Sequence, residues 1–444
     1  MKLNNKRTVL VGLAFMSICA FWQMYDTVIP LILTKTFRLN ETISGVIMAA
    51  DNVLALFLLP FFGALSDRSN NKYGKRMPFI VGGTAAAVIL INLLSGIDNS
   101  YYMAPSAGKL LLFIVLLGLL LIAMGTYRSP AVALMPDLTP KPLRSKGNAI
   151  INLMGALGGI LSLAAAALLY PNSKVQGLAH VNYQPIFIVV SAVMAVSVLI
   201  LVLTVNEPKY AKENRDLEAK HPEWNLAKDD GSGNEVLPAE VKRSLGFLLA
   251  SIALWYIGYN GITTWFTTYI DRIMGEGLGG ASTCILVASA GAIVSYIPIG
   301  NLAHKIGRKK TILIGVAMLS LCFFMGFILT TVFSSINAAM YVVFVLVGFA
   351  WAAINVNSLP MVVEMCRGSD TGKLTGYYYT ASMAAKVVTP ILAGLLMRTI
   401  SFRVLFPYAT LFAFLSFITM TQVKHGDVAP EARTGIEAYE DMED

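Results

Sequence analysis

The segment GALSDRSNNKYGKRMPF, from Gly63 to Phe79, decides the fold of this chain. It lies between two apolar runs, residues 43–65 and 78–96, and each run has about the 20 residues that a helix needs to cross a lipid bilayer. The segment itself concentrates charge, with Asp67 near its start and Arg76 near its end. A short, mainly basic connection between two long apolar runs predicts a loop on the cytoplasmic side of a membrane.

Small and charged residues in this loop also predict control of helix movement. Gly63 would let the second and third helices approach closely, because glycine has no side chain. Asp67 at a helix end could bind nearby basic residues and the N-terminal dipole of a neighbouring helix. The alternative is a topological loop whose charges are incidental. The residues of this segment that we assign to conformational gating are Gly63, Asp67, Arg68, Gly74 and Arg76.

A second copy of the pattern occurs in the C-terminal half. Residues 298–310, PIGNLAHKIGRKK, contain rough counterparts of the proline and glycine at 60–63 and of the Gly-Lys-Arg at 74–76. Residues 128–137 and 355–364 also match, since each stretch places an acid nine residues after a polar residue. Two related halves are typical of a duplicated transporter.

The motifs Ser-Asp-Arg, Tyr-Gly-Lys-Arg and Pro-Phe-Ile of the first loop resemble the major facilitator signature between helices two and three. More narrowly, the loop resembles that of the sucrose-transporter-like sugar–cation symporters, relatives of the glycoside–pentoside–hexuronide group. The resemblance covers nearly the whole chain. It implies an all-α membrane protein, with twelve transmembrane helices in two pseudo-symmetric six-helix bundles around one midplane cavity.

The composition agrees with a membrane protein. Hydrophobic residues make up 56% of the 444 residues and charged residues 14%, whereas a soluble domain carries about 25% charge. The net charge of +8 comes from bases between apolar runs, which indicates membrane topology and not nucleic-acid binding. The four cysteines show no ligand or disulfide spacing, so we expect no metal site and no cofactor.

Hydropathy predicts twelve spans and their orientation. The spans are 8–33, 43–65, 78–96, 109–136, 147–170, 185–205, 244–270, 280–303, 311–331, 338–365, 377–398 and 401–422. Of the 34 Lys and Arg residues, 25 lie in the termini and the connections on one side, and 7 lie in the connections on the other. This bias predicts a protein of the cell (plasma) membrane with both termini in the cytoplasm.

Two polar stretches divide the chain. We expect an N-terminal six-helix bundle at 1–205, a cytoplasmic linker at 206–243, a C-terminal six-helix bundle at 244–422 and a disordered acidic cytoplasmic tail at 423–444. The linker is too short to bury a core of its own, so we expect some helix there and no separate domain. We expect the chain to be a monomer.

Four charged residues inside the spans are candidates for the chemistry. A charge near the bilayer centre costs about 2.5–3.5 kcal/mol on insertion scales, so it should face a cavity or a partner. Asp26 on the first span lies near Trp22 and Gln23. Together they would bind a sugar, because aromatic rings pack on apolar sugar faces while polar groups take the hydroxyls. The alternative is an aspartate that neighbouring helices satisfy.

The second acid is Asp51, about 12 Å below the outer end of the second span. If its carboxylate approaches that of Asp26, both cannot stay ionised cheaply, and the pair could carry the transported proton. The alternative for Asp51 is a cap or an ion pair near the outer surface. The sodium-coupled members of the wider group carry two aspartates at positions that are Ala55 and Leu59 here. The resemblance therefore implies protons as the coupling ion.

The two basic candidates are Arg128 in span four and Lys386 in span eleven. The plant-type sucrose carriers have an arginine at the position of Val132, so Arg128 lies one turn earlier. Its guanidinium could hold sugar hydroxyls or a carboxylate, or it could form a structural ion pair. Lys386 resembles a lysine that several sugar–cation symporters use, and it could pair with Asp26 or Asp51.

Polar faces on spans seven and ten complete the predicted binding site. Tyr256 and Asn260 lie one turn apart, as do Trp351 and Asn355. Inside a membrane such side chains seek a partner or water, although helix packing is the alternative.

Charged residues also end spans four and ten on the cytoplasmic side. Asp137 with the following Arg144, and Glu364 with the following Lys373, could latch an inner gate. The alternative is ordinary surface charge, worth under about 1 kcal/mol.

These features together predict a secondary active transporter that imports a sugar, a glycoside or disaccharide, with protons by alternating access. Its expected partners are the small-molecule substrate, a proton and the lipid bilayer. Export of amphipathic compounds and a non-transporting membrane sensor are the alternatives. No nucleophile–base pair or Gly-rich phosphate loop is visible in the sequence, so we do not expect an enzyme.

Overall fold

The computed structural model describes residues 3–221, 238–365 and 371–427. Within these ranges the chain forms helices and connecting turns, without a β-strand. Twelve of the helices are long and apolar enough to cross a membrane. The predicted all-α membrane fold with twelve spans is therefore confirmed.

The helices are numbered here in chain order. The first half contains α1 (Asn5–Leu31), α2 (Glu41–Asp67), α3 (Met77–Met103), α4 (Ala107–Leu138), α5 (Arg144–Leu169), the short α6 (Asn172–Val175), α7 (Gln184–Thr204) and α8 (Glu207–Lys220). The second half contains α9 (Ala239–Met274), α10 (Leu278–Ile306), α11 (Arg308–Val332), α12 (Ala338–Val363), α13 (Thr371–Thr399) and α14 (Leu405–Thr421). All except α6 and α8 are spans, and α1 continues as one π-helical segment, Ile32–Thr36.

Polar caps and prolines determine where several helices begin. The side-chain oxygens of Asn4, Ser106, Asn206 and Asn337 accept backbone N–H groups at the starts of α1, α4, α8 and α12. These bonds satisfy donors that a helix start leaves unpaired. Proline occupies an early position in α3, α7 and α8, where its missing N–H costs nothing. Gly275 ends α9 with φ of 67°, a conformation that glycine adopts without strain.

The chain forms two compact units. Among the described residues, the first contains residues 3–39 and 50–221, and the second contains residues 40–49, 238–365 and 371–427. In the first unit α1 packs against α5 and α7, while α3 packs against α4 and α7. In the second unit α10 and α11 pack against α12, and α9 packs against α13 and α14. The start of α2 therefore groups with the second unit, whereas the predicted boundary at residue 205 places the whole of α2 in the N-terminal bundle.

The predicted linker, 206–243, is helical at both ends. α8 occupies its first part, and α9 begins at Ala239, before the predicted span start at 244. An Asn206 cap, Glu207 in the first turn and Lys220 in the last turn favour α8, because these charges oppose the helix dipole. Residues 222–237 of the linker and 428–444 of the predicted disordered tail lie outside the described residues.

Candidate functional site

An aromatic and cationic cluster lies where α1 meets α4 in the first unit. The Arg128 guanidinium carbon is 5.7 Å from the centre of the Trp22 ring, within the range of a cation–π interaction. Trp22 also meets Tyr25 edge to face, with 5.4 Å between ring centres. The structure thus brings together Trp22 and Arg128, which the sequence predicted separately. Gln23, the third predicted residue here, directs its side chain toward Gly159 of α5.

Two carboxylates lie near one buried phenol in the same unit. The charges of both Asp51 and Asp26 act on Tyr25, whose side chain is fully buried. Asp51 Oδ1 accepts a hydrogen bond of 2.6 Å from the Asn52 side-chain amide. The approach of the two acids to each other stays a prediction, and Tyr25 is the residue on which both of their charges act. Its signal was its place beside Asp26 in the sequence.

The second unit contains a matching aromatic cluster. Tyr259 stacks on Trp351, with ring centres 3.7 Å apart and planes at 7°. Tyr256 meets the same indole edge to face at 5.5 Å, and Lys386 Nζ lies 5.5 Å from the centre of the Tyr256 ring. Three predicted residues are therefore brought together, and Tyr259 joins them as a residue outside the predicted set.

A hydroxyl chain extends this cluster to α13. The Tyr378 hydroxyl lies 3.4 Å from the Tyr256 hydroxyl and 3.0 Å from Ser358 Oγ of α12. Sequence reasoning missed Tyr378 and Ser358. Tyr378 precedes Lys386 by eight residues, about two helical turns, so their shared helix face was the available signal.

Three buried side-chain N–H groups inside the described spans have no hydrogen-bond acceptor among the described residues. They are Trp22 Nε1, Asn260 Nδ2 and Asn355 Nδ2. A buried donor without an acceptor costs about 1–3 kcal/mol, which favours a ligand or water rich in acceptor oxygens at these positions. The predicted amides of Asn260 and Asn355 thus have the capacity for polar recognition.

Arg76 is the centre of an ionic cluster at the ends of α2, α3 and α4. Its Nε donates to Asp137 Oδ2 at 2.8 Å, and Nη2 pairs with Asp67. Burial alone would lower the pKa of Arg76, but the hydrogen bonds and charges of Asp137 and Asp67 outweigh burial and hold that pKa above its ordinary value. Arg68, the other predicted base, is exposed.

A carboxylate from α8 caps α3. Glu207 Oε1 accepts from the backbone N–H groups of Lys75 and Arg76 at 2.7 and 2.9 Å, and Oε2 accepts from Met77 N–H at 2.8 Å. Gly74 allows this approach, because a Cβ there would lie 2.2 Å from Glu207 Oε2, and its φ is +114°. Sequence reasoning missed Glu207, although Asn206-Glu207-Pro208 is a helix-start pattern.

Three expectations for this region are corrected. Asp67 binds a basic residue, Arg76, as expected, but the N-terminus of α3 is capped by Glu207 and not by Asp67. Asp137 binds Arg76, whereas Arg144 binds Glu218 of α8, with Nη2 3.1 Å from Oε1. Gly63 lets α4 approach and not α3, because the Ser129 side chain of α4 would lie 2.8 Å, at Oγ, from a Cβ on Gly63. The residues concerned are Gly63, Asp67, Asp137 and Arg144.

The second unit repeats this arrangement. Arg308 Nη2 lies 2.9 Å from Glu364 Oε1, as Arg76 binds Asp137 in the first unit. Asp427 Oδ1 accepts from the Lys309 backbone N–H at 3.0 Å, and Gly307 has φ of +92°. Since Asp427 lies in the predicted tail, the start of that tail is part of the folded unit.

A close helix crossing involves the start of α2, which groups with the second unit. A Cβ on Gly45 would lie 2.2 Å from the Pro390 carbonyl oxygen of α13. A Cβ on Gly394 would lie 2.4 Å from the Glu41 carbonyl oxygen. The absence of side chains lets the two backbones meet. Sequence reasoning missed both glycines, because helix-facing small residues are common in spans.

Known proteins resemble this chain in sequence and in fold. A sucrose transport protein of Arabidopsis thaliana, SUC3, is 32% identical over 145 residues, which cover 30% of this chain and 24% of the plant protein. The gentisate transporter of Corynebacterium glutamicum is 22% identical over 396 residues, 88% of this chain and 80% of that protein. The match to SUC3 spans only about a quarter of the length of that plant protein.

Solved structures share the fold at low sequence identity. The nucleoside transporter NupG superposes with a TM-score of 0.67 at 13% identity, over 94% of this chain and 100% of that one. The inward-open xylose transporter XylE from E. coli gives 0.61 at 15% identity, over 93% and 94%. The family model described as "Major Facilitator Superfamily" matches residues 11–297 and 273–437. With its twelve spans and its repeated arginine–acid clusters, the chain belongs to the Major Facilitator Superfamily.

Proposed function

We propose that this transporter imports a sugar, a glycoside or disaccharide, together with protons, by alternating access. It acts as a monomer in the plasma membrane, with both termini in the cytoplasm. The observation that carries the proposal is the cluster at the α1–α4 contact. There Arg128 lies over Trp22, and Trp22 contacts the phenol that the charges of Asp26 and Asp51 reach.

Sugar binding uses the aromatic faces and the buried donors. Trp22 in the first unit and Trp351 in the second offer ring faces or edges for the apolar side of a pyranose. Trp22 Nε1, Asn260 Nδ2 and Asn355 Nδ2 supply hydrogen bonds to acceptor oxygens. The similarity of part of the chain to plant sucrose transport proteins supports this substrate class.

Proton coupling uses the two acids near Tyr25. Two carboxylates that share one low-dielectric region are costly to ionise together, so they favour a state that holds a proton between them. Binding of sugar beside Asp26 then changes the affinity for that proton, and the proton changes the affinity for sugar by the same factor. In the second unit, Lys386 places a positive charge over the ring of Tyr256.

The Arg76 and Arg308 clusters control the conformational change. In each unit an arginine ties a helix end to the acid at the end of α4 or α12, and a carboxylate caps the next helix. Breaking such bonds on one side of the membrane would accompany opening of that side. The gating residues act through the transition rate and not through contact with the substrate.

Two cation–ring contacts also favour a second substrate class, the aromatic carboxylates. Arg128 and Lys386 each lie over an aromatic ring, and a relative that matches 88% of the chain is a gentisate transporter. Each cation beside an aromatic ring could hold the carboxylate of an aromatic acid whose ring packs on the neighbouring side chain.

Uptake into proteoliposomes separates these functions. Purified protein is reconstituted, an inward pH gradient is imposed, and uptake of labelled sucrose, labelled methyl glucoside and labelled gentisate is followed with and without sodium. Accumulation of a glycoside that collapses with a protonophore supports the proposal. Accumulation of gentisate alone would replace the sugar by an aromatic acid, and an absolute requirement for sodium would overturn proton coupling.

A further inference from the structure

A buried acid and a histidine meet at the end of α3 that is opposite Arg76. Asp98 is fully buried, and neither of its carboxylate oxygens has a hydrogen-bond donor among the described residues. A basic group, His180, lies in the connection between α6 and α7, with Nε2 3.9 Å from Asp98 Oδ2. An ionised carboxylate in such a place costs several kcal/mol unless it is paired, so Asp98 needs a proton or a cationic partner.

The histidine is held in a defined position. Its Nε2 lies 3.0 Å from Asn99 Oδ1, and its ring stacks on Tyr102, with centres 4.4 Å apart and planes at 11°. Asn99 Nδ2 donates to Asn182 Oδ1 at 2.9 Å. These contacts tie the α6–α7 connection to α3 through one titratable side chain.

Other charged and titratable groups near Asp98 lie on α3, on α4 and on the connecting segments. Lys109 of α4 donates Nζ to the carbonyl oxygens of Ser100 and Ala104. The Tyr170 hydroxyl donates to the Asn182 carbonyl oxygen. The side chain of Thr36 faces Asp98 outside hydrogen-bond geometry, next to Lys35. Further groups nearby are Tyr101 and Tyr102 on α3 and Tyr183 before α7.

We propose that Asp98 and His180 together bind one proton and in that form hold the α6–α7 connection, residues 176–183, against α3. With one proton the pair is either two neutral groups or a matched ion pair, and both arrangements are compatible with burial. Loss of that proton leaves a buried carboxylate opposite a neutral ring, so the connection detaches as pH rises. Burial lowers the pKa of His180, so the neutral ring, with Nε2–H donating to Asn99, predominates near neutral pH.

The pair is therefore a pH-sensitive latch separate from the acids near Tyr25. The pair responds to the pH on the side of the membrane that the α6–α7 connection faces. Its test does not use transport, so its failure would leave the proposed symport untouched.

A spin label on the connection measures the latch directly. Leu178 has 56% of its surface exposed, so Leu178→Cys accepts a nitroxide in a variant without the four native cysteines. Label mobility is recorded from about pH 5 to about pH 9, a range that includes the ordinary pKa of histidine, about 6.5. We expect a single mobility increase with rising pH. Asp98→Asn should stay immobile across the range, because an amide needs no proton to be neutral.

Two further variants distinguish a titrating latch from a static contact. His180→Gln should displace the midpoint of the pH step, while Lys174→Gln, a charge change in α6, should leave the step unchanged. If Asp98→Asn does not fold, His180→Gln alone decides, since its label must report a shifted step. A wild-type label with pH-independent mobility, or a step that survives unchanged in His180→Gln, would refute the proposal.

Discussion

The Glu207 cap on α3 makes a quantitative prediction. Glu207→Gln keeps the size of the side chain but removes the charge that three backbone N–H groups share. Hydrogen bonds to a charged acceptor contribute about 1.5–3 kcal/mol, and a charge at a helix N-terminus contributes up to about 2 kcal/mol when partly buried. Because glutamine retains one acceptor oxygen, we expect a net loss of about 2–3 kcal/mol.

That loss should appear in stability and in turnover. The apparent melting temperature should fall by about 2–4 °C for each kcal/mol lost. If Glu207 caps α3 in only one of the two transport states, the equilibrium between the states shifts by about 30- to 150-fold. The assays are thermal unfolding of purified protein by tryptophan fluorescence and the rate of substrate exchange in proteoliposomes.

Glu218→Gln is the matched control for this change. Glu218 lies on the same helix and pairs with Arg144, but the pair is partly exposed and contributes about 0–1 kcal/mol. We expect the control to melt and exchange like the wild type. Equal effects of the two variants, or a Glu207→Gln protein with wild-type melting and exchange, would refute the capping argument.

Four further predictions follow from other positions. A single cysteine at Ser69 should react only with membrane-permeant maleimides in intact cells, and labelling by an impermeant reagent would reverse the proposed orientation. Gly45→Val should slow exchange because its Cβ meets the Pro390 carbonyl, whereas Gly82→Val, at a position with open space, should not; equal rates would contradict this. Asp67→Asn should slow exchange with little change in substrate affinity, and a large affinity loss would argue for a binding role. Lys386→Ala should weaken substrate binding by about tenfold, the loss of one charged contact, measured by calorimetry; unchanged affinity would remove it from the site.

The fold was predictable because hydropathy is a property of long segments. Runs of about 20 apolar residues predict spans without any knowledge of packing, and the repeat of the loop at 63–79 near 298–310 predicts the duplication. Helix ends were less accurate, as in α9, because its start includes the charged residues Glu240, Lys242 and Arg243, which belong to the helix although they lie outside the apolar run. Local polarity therefore marked the end of the apolar run and not the end of the helix.

The candidate site was predictable only one residue at a time. Charges inside spans are rare enough to single out Arg128 and Lys386, but sequence does not say which ring each will cover. The contacts of Tyr259 and Tyr378 depend on how α9, α12 and α13 pack, so their signals were indistinguishable from ordinary packing. Glu207 was missed for the same reason, because its partner helix lies about 130 residues earlier in the chain.

The central proposal, a proton carried beside the sugar, depends on Asp26. The direct measurement is pH-driven uptake of labelled sugar by wild-type, Asp26→Asn and Asp51→Asn proteins in sodium-free proteoliposomes. Counterflow without a gradient serves as the control for folding and binding. We expect Asp26→Asn to lose accumulation and the pH dependence of binding, with counterflow retained, and Asp51→Asn to have a milder effect. Undiminished pH-driven accumulation by Asp26→Asn would show that the proton is carried elsewhere.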